Sequence, residues 1–202
     1  SGRKPKDHAE RMIFNNYQML LKIKDITDRE MSIDLLCSLQ ALITENTLED
    51  PKAAGRLRTA EEKIFVSDDA TGQRLHDPPP AGELTHRLGL LCDFINKDEE
   101  HGFVHPVIKA ILLHFWLAYD HPFVDGNGRT ARALFYWYLM KKKYWAVGYM
   151  CVSISRIIKQ SIVQYKKSYL YSEHDEQDIT YFLDYNMNIL CKALDELKGH
   201  MD

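Results

Sequence analysis

Residues 106 to 119 constrain the fold most, because they are apolar on almost every side of a helix. A helix of this kind is typically buried at the centre of a domain. Pro106 suits the first helical turn, where a backbone N–H is not needed. We therefore predict a central helix here, around which the other elements pack. Its apolar side chains are Val107, Ile108, Ile111, Leu112, Phe115, Trp116 and Ala118.

Helical spacing of apolar residues recurs along most of the remaining chain. Asp7 with Glu10, and Thr27 with Glu30, resemble capping boxes for the first two helices. With the central helix, about seven helices are predicted. The other six run over about 7–24, from Thr27 to Leu42, over 84–95, from Gly128 or Arg129 to Lys142, over 153–171 and over 178–197.

One stretch departs from the helical pattern. Two short extended runs, 63–67 and 73–76, flank a turn that contains Gly72, and this arrangement predicts a β-hairpin. The prolines at 78–80 then end the hairpin, since proline has no N–H to donate to a ladder. The fold class that follows is all-α with one short β-hairpin.

Length and composition exclude several classes of protein. The 202 residues fit one domain, and the formal charge of -3 argues against a nucleic-acid binder, which normally carries a basic excess. No apolar run is long enough to span a membrane, and the N-terminus lacks the apolar core of a signal peptide. The four cysteines are far apart in apolar contexts, which predicts reduced core residues and a cytoplasmic protein. They are Cys37, Cys92, Cys151 and Cys191.

The segment after the central helix contains the most informative residues. Gly126, Asn127 and Gly128 tolerate unusual backbone angles, so their N–H groups can converge as an anion-binding nest at a helix N-terminus. Arg129 and Arg132 are three residues apart, which places them on one helix face beside the nest. Guanidinium groups match the geometry of phosphate oxygens. Together these residues suit a polyphosphate.

Two further side chains near the nest suit catalysis. Asp125 precedes the nest, and a single carboxylate beside phosphates is a usual way to hold Mg²⁺. His121 is the one group there that accepts a proton near pH 7. Each feature alone is also common in ordinary turns and solvated helix ends. Their combination between His121 and Arg132 favours a functional site.

These residues carry a resemblance to a known family. The run from His121 to Arg132 resembles the H-x-F-x-[DE]-G-N-G-R-x-x-R signature of Fic-domain proteins, and all eight fixed positions match. Residues 15–17, 55–58 and 78–80 are similar to its flanking segments. The resemblance implies a single Fic domain over 1–202, with an N-terminal helical extension over about 1–60 and a core motif region over 105–142.

The resemblance implies a protein adenylyltransferase, which transfers AMP from ATP to a hydroxyl group of a target protein with Mg²⁺. By position, His121 would deprotonate the hydroxyl and Asp125 would hold Mg²⁺. The phosphates would be cradled by backbone and amide donors of Gly126, Asn127 and Gly128.

The two arginines have separate implied roles. Arg132 would bind the γ-phosphate end of ATP, and Arg129 would steady the loop or the phosphates. Tyr165 and Tyr169 either line a nucleoside pocket or only pack between helices. The hairpin around 63–76 corresponds to the family's flap, which pairs with an extended stretch of the target protein, although a plain surface hairpin has the same pattern. Self-modification and a homodimer are left open.

Many family members carry an inhibitory helix of pattern [ST]-x-x-x-E-[GN], whose glutamate pairs with the second signature arginine. Ala41 stands where Glu45 would need Ser or Thr, and Gln177 follows Glu176, so no full match exists. We therefore expect no inhibition by a glutamate in cis. Three alternatives stay open: a hydrolase that removes AMP, a transferase of UMP or phosphocholine, and a non-catalytic interaction module.

Overall fold

The computed structural model describes residues 5–68, 72–97, 102–144 and 154–199. Within these ranges the chain forms eight α-helices and one two-stranded sheet, which confirms the predicted all-α class with one hairpin. The helices are α1 His8–Asp25, α2 Ile33–Ile43, α3 Leu84–Asn96, α4 Pro106–Asp120, α5 Asn127–Lys141, α6 Ile154–Gln160, α7 Ile162–His174 and α8 Thr180–Gly199. The strands are β1 Val66–Ser67 and β2 Arg74–His76, and short 3-10 helices cover Pro51–Ala53 and Ala81–Glu83.

The predicted central helix is confirmed. Helix α4 buries Ile111, Leu113 and Leu117 and packs against α3, α5 and α8. Helix α5 is buried even more completely, since every residue from Ala133 to Met140 is inside the protein. Because α4 and α5 are the most extensively packed pair, the loop that joins them stands on a rigid base.

The first helix begins as predicted, whereas the second begins later. The Asp7 side chain accepts from Glu10 N at 2.7 Å and caps α1. Thr27 does not cap α2, because its hydroxyl donates to Lys24 O at the end of α1. Ser32 caps α2 instead, by accepting from Leu35 N. The predicted start at Thr27 is therefore wrong by several residues.

The helix predicted over 153–171 is divided into α6 and α7 at Ser161. The Ser161 hydroxyl lies 2.7 Å from the Tyr185 hydroxyl of α8 and donates to Ile157 O. Its φ of -126° lies outside the helical range, so α6 ends and α7 begins at this residue.

The hairpin strands pair antiparallel, with Val66 opposite His76 and an irregularity after Val66. Cys92 is buried and Cys37 is half-buried, but Cys191 is exposed on α8, so the prediction of a core position is wrong for Cys191. Cys151 lies outside the described residues. No helix in the described part of the chain is both long and apolar enough to cross a membrane.

Candidate active site

The last turn of α4 and the loop that follows it turn their backbone carbonyl groups into the protein. Buried carbonyl groups need hydrogen-bond donors, and each backbone carbonyl from residue 117 to residue 123 has a donor. The donors are His121 N for Leu117, His121 Nδ1 for Ala118, His76 Nε2 for Tyr119, Arg58 Nη2 for Asp120, Arg58 Nε for His121, Arg58 N for Pro122 and Asn127 Nδ2 for Phe123. The loop therefore leaves the N–H groups of the first turn of α5 as its open backbone donors.

His121 ends α4 in the left-handed conformation, with φ 45° and ψ 56°. Its Nδ1 lies 3.1 Å from Ala118 O. A carbonyl oxygen only accepts, so the neutral ring carries its hydrogen on Nδ1 and keeps a lone pair on Nε2. Burial lowers the pKa of His121 to about 4, and the positive charges of His76 and Arg58 act in the same direction. The imidazole is therefore neutral at pH 7, and its pKa lies below the value near 7 that the sequence predicted.

Gly126 supplies the unusual backbone angle of the predicted nest. Its φ is +84°, and a Cβ atom there would lie only 2.6 Å from Thr44 Cγ2. Gly128 lies inside the first turn of α5 without a positive φ, so the predicted run of three permissive residues is corrected to one. Gly126 turns the chain, and α5 itself presents the converging N–H groups.

The Asn127 side chain does not face the open side of the loop. It is buried, its Oδ1 accepts from Phe123 N at 2.8 Å, and its Nδ2 donates to Phe123 O at 2.8 Å. The side-chain amide is therefore occupied within the loop, while a contact between phosphates and the backbone N–H of Asn127 stays a prediction. The amide closes the loop across four residues and fixes the start of α5.

Asp125 and Arg129 form an ion pair, with 3.0 Å between Asp125 Oδ2 and Arg129 Nη2. Arg129 also donates to Ile43 O and to the Thr47 hydroxyl, each at 3.3 Å, at the end of α2. Of the two predicted roles for Arg129, the contacts match steadying of the loop. The Arg129 side chain is only 13% exposed, whereas that of Asp125 is 55% exposed.

Arg132 lines a pocket that Arg129 does not line, so the two arginines make different contacts, and joint phosphate binding by both stays a prediction. The Arg132 guanidinium has no hydrogen-bond or ion-pair partner among the described residues. The residue is half-buried and lies beside a pocket of about 200 Å³ that is also lined by His121, Gly128, Tyr165 and the hairpin. Burial lowers the pKa of Arg132, which stays far above neutrality in any protein. An unpaired cation in a pocket is a site for an anion.

The two tyrosines line this pocket and also pack between helices. Tyr169 donates its hydroxyl to Phe115 O at 2.8 Å, and its ring stacks on that of Phe115 with centroids 4.6 Å apart. The Tyr165 hydroxyl lies 3.3 Å from His114 Nε2. The packing role is thus present in the structure, while a contact with a nucleoside stays a prediction.

The hairpin forms one wall of the pocket and is fixed to α7 at two points. Lys166 Nζ lies 2.9 Å from Asp68 Oδ2. His76 Nδ1 lies 2.8 Å from Glu173 Oε1, and its other nitrogen holds the Tyr119 carbonyl at 2.7 Å. The hairpin therefore touches the backbone two residues before His121.

One side chain of the loop, the Asp125 carboxylate, suits Mg²⁺. No cluster of three or more His, Cys, Asp or Glu side chains suited to a metal occurs among the described residues. The exposed Asp125 carboxylate accepts one hydrogen bond from Gly126 N and one from Arg129, which leaves lone pairs on both oxygens. One carboxylate fits Mg²⁺, which is usually completed by substrate phosphates and water.

Four donors that shape the loop were not predicted from the sequence: Arg58, His76, Gln40 and Arg87. Gln40 Nε2 donates to Asp125 O at 3.0 Å, and Arg87 Nε donates to the buried Asp120 carboxylate at 2.7 Å. The sequence holds one indirect signal. The last carbonyls of α4 need donors, and the loop itself contains too few.

The fold and the loop together define a helical domain with a neutral histidine and an unpaired arginine at one pocket. The model of the Fic/DOC family matches residues 30–139. The chain belongs to the Fic/DOC family.

Named relatives agree with this assignment. The protein adenylyltransferase Fic of Nematostella vectensis is 41% identical over 92 residues, which are 45% of this chain and 19% of that protein. Protein adenylyltransferase fic-1 of Caenorhabditis elegans is 31% identical over 131 residues, or 65% of this chain and 23% of that protein. The chain thus spans about a fifth of the length of these relatives.

The fold also matches a solved structure. A Fic family protein from Desulfovibrio desulfuricans superposes with a TM-score of 0.74 at 20% identity, covering 96% of this chain and 54% of that one. The two proteins share the fold.

Proposed function

We propose that this chain is a protein adenylyltransferase, which transfers AMP from ATP to a hydroxyl group of a target protein. Family membership and the names of the relatives support this activity. One observation carries the proposal: the neutral imidazole of His121 and the unpaired guanidinium of Arg132 line the same pocket. A base beside an anion site is what nucleotidyl transfer requires.

The chemical step follows from the free Nε2 lone pair. His121 Nε2 accepts the proton of the target hydroxyl, and the hydroxyl oxygen forms a bond to the α-phosphorus. The bond between that phosphorus and the bridging oxygen breaks, and pyrophosphate leaves. Arg132 binds the terminal phosphate and holds the triphosphate in line. The N–H groups at the start of α5 stabilise negative charge on the phosphates.

Asp125 is the residue that would hold Mg²⁺. The bound ion would neutralise negative charge on the phosphates and on the leaving pyrophosphate. Arg129 keeps the carboxylate in place through the 3.0 Å ion pair. ATP and Mg²⁺ are thus the substrate and the ion that the proposal requires.

The hairpin is the proposed docking surface for the target protein. Each strand of a two-stranded sheet has one unpaired edge, which can accept an extended segment. Phe65 is 51% exposed beside β1, with the Arg74 guanidinium over its ring at 4.9 Å. The contacts of His76 and Asp68 with other elements hold this edge near His121.

The test uses ATP labelled on either the α- or the γ-phosphate, with a cell lysate and with the chain alone. His121→Ala removes the base, and His86→Ala, an exposed histidine on α3, is the matched control. We expect α-label on protein with the wild type and with His86→Ala and none with His121→Ala. Mass spectrometry should find a shift of one AMP on the labelled protein.

Other outcomes would point to the alternatives. Transfer of γ-label, or equal labelling by His121→Ala, would contradict the proposal. Loss of label from a protein that already carries AMP would indicate the hydrolase, and transfer only from UTP or CDP-choline would indicate another group. No labelling with any donor would favour an interaction module.

We propose that no glutamate of the described residues inhibits this chain in cis. Glu45 is exposed, and no carboxylate of the described residues forms an ion pair with Arg132. Glu45→Gly should therefore leave the labelling rate unchanged within about twofold, since it removes no contact at the pocket. Activity that appears only in Glu45→Gly would contradict this expectation.

A further inference from the structure

Arg58 holds the backbone on which His121 stands. Its Nε donates to His121 O at 2.8 Å, and its Nη2 lies 3.4 Å from Asp120 O. Its own N–H donates to Pro122 O at 2.9 Å. Three consecutive carbonyls therefore depend on one residue, which is only 8% exposed and comes from the loop after the 3-10 helix at Pro51–Ala53.

A second contact fixes the guanidinium itself. Arg58 Nη2 donates to Pro79 O at 2.5 Å, in the segment that follows the hairpin. The planar fork thus spans two chain segments at once. A lysine carries the same charge, but a single ammonium cannot reproduce a fork whose Nε and Nη2 donors point to fixed positions.

His121 needs such support because its backbone conformation is unfavourable. A φ of 45° lies in the left-handed region, which costs a non-glycine residue free energy and persists only where surrounding contacts hold it. The conformation also folds the ring back, so that Nδ1 meets Ala118 O at 3.1 Å. The backbone angle and the ring tautomer are therefore linked.

We propose that Arg58 is a positioning residue for His121: it fixes the left-handed backbone, and thereby keeps Nδ1 on the Ala118 carbonyl and Nε2 open to the pocket. The expected effect on kcat rests on the proposed adenylyltransferase function. The expected tautomer of the His121 ring does not depend on that function.

Electrostatics acts in the same direction. After burial, the charges of His76 and Arg58 lower the pKa of His121, whereas the nearby Asp125 and the hydrogen bond to Ala118 raise it. The Arg58 charge thus favours the neutral ring, whose Nε2 lone pair can accept a proton. The buried carboxylate of Asp120 balances part of this charge.

The test compares Arg58→Lys and Arg58→Gln with Arg56→Gln. Arg56 is a matched control, since its guanidinium bonds to Glu62 and to nearby carbonyls of its own loop and does not contact the α4–α5 loop. Four quantities are measured for each protein: kcat for the labelling reaction, KM for ATP, the thermal unfolding midpoint, and the ¹⁵N shifts of the His121 ring. His121→Gln assigns the ring signals.

We expect both Arg58 variants to lower kcat by roughly 10- to 100-fold, because misplacement of a base has this effect, with KM for ATP changed by less than about twofold. The ring nitrogens of His121 should average between the two tautomers. Arg56→Gln should match the wild type in all four quantities. A folded Arg58→Lys with wild-type kcat and a wild-type ring signature would overturn the proposal, as would a loss confined to KM.

The wild-type protein provides a test that does not depend on any variant folding. Its His121 ring should carry hydrogen on Nδ1 between pH 6 and 8. Hydrogen on Nε2 in that range would overturn the proposal. This result is independent of whether AMP is transferred, so failure of the proposed function and failure of the role of Arg58 are distinguishable.

Discussion

Gly126→Ala should destabilise the protein through two separable effects. The first is conformational, because a left-handed φ of +84° costs an alanine about 1–2 kcal/mol. The second is steric, because the new Cβ would lie 2.6 Å from Thr44 Cγ2 and overpacking of this kind costs about 1–3 kcal/mol. Alanine also restricts the unfolded chain, which offsets about 0.4–1 kcal/mol.

The expected net loss is about 1–5 kcal/mol in the free energy of unfolding, combining the three ranges. For a domain of this size that corresponds to a fall in Tm of roughly 2–18 °C. Urea unfolding followed by circular dichroism measures the loss. Gly89→Ala is the matched control, because Gly89 lies within α3, lacks a positive φ and has no atom within 4 Å of its virtual Cβ.

A second substitution separates the two effects. Thr44→Ser removes Cγ2 but keeps the hydroxyl that donates to Gln40 O at 2.7 Å. In the Gly126→Ala background it should recover about 1–3 kcal/mol, the steric part, and leave the conformational part. A wild-type free energy of unfolding for Gly126→Ala, or no recovery in the double variant, would refute the reasoning.

Three further predictions concern side chains around the loop. Arg132→Met should raise Tm without ligand, because it removes a half-buried cation that has no partner among the described residues. It should also abolish the Tm increase that ATP or inorganic triphosphate gives the wild type in a thermal-shift assay. Asn127→Ala should lower the free energy of unfolding by about 1–3 kcal/mol without any nucleotide, because it leaves the Phe123 N–H and carbonyl unpaired. Equal unfolding curves for Asn127→Ala and the wild type would favour a phosphate-binding role for the side chain instead. Burial lowers the pKa of His114 to about 3 and that of His121 to about 4. In the unfolded chain both imidazoles bind a proton near pH 6.5, so below that pH the unfolded chain carries more protons than the folded one. The free energy of unfolding should therefore fall as pH drops from about 6.5 to 4. His114→Gln should flatten this slope in urea titrations at several pH values, and an unchanged slope would assign it to other groups.

The sequence located the loop but not the direction of every side chain in it. Arg129 and Arg132 are three residues apart, which predicts one helix face. In the structure Arg129 reaches the Ile43 carbonyl at the end of α2, and Arg132 turns to the pocket beside Tyr165. Long side chains choose among neighbours that come from distant parts of the chain, and helical spacing alone does not contain those neighbours.

The start of α2 shows the same limit for the fold. Thr27 with Glu30 has the pattern of a helix cap, yet the chain stays non-helical until Ser32. Asn96 of α3 explains the delay, because its side chain accepts from Met31 N at 2.9 Å and donates to Met31 O at 2.8 Å. These bonds join residues 65 positions apart, and they hold Met31 outside the helix. A local capping signal cannot compete with such a tertiary pair.

The active-site loop depends on distant residues in the same way. Arg58 donates to the His121 carbonyl, which lies 63 positions further along the chain. His76 bonds to the Tyr119 carbonyl 43 positions away, and Gln40 donates to the Asp125 carbonyl 85 positions away. The signature residues lie within the loop and supply the reactive groups, but three residues outside it bind the carbonyls that set its shape. Since a helix that ends inside a protein must find donors for its last carbonyls, such residues are required wherever a buried helix presents a histidine. A chain that kept the loop and lost these donors would keep the reactive groups without their geometry.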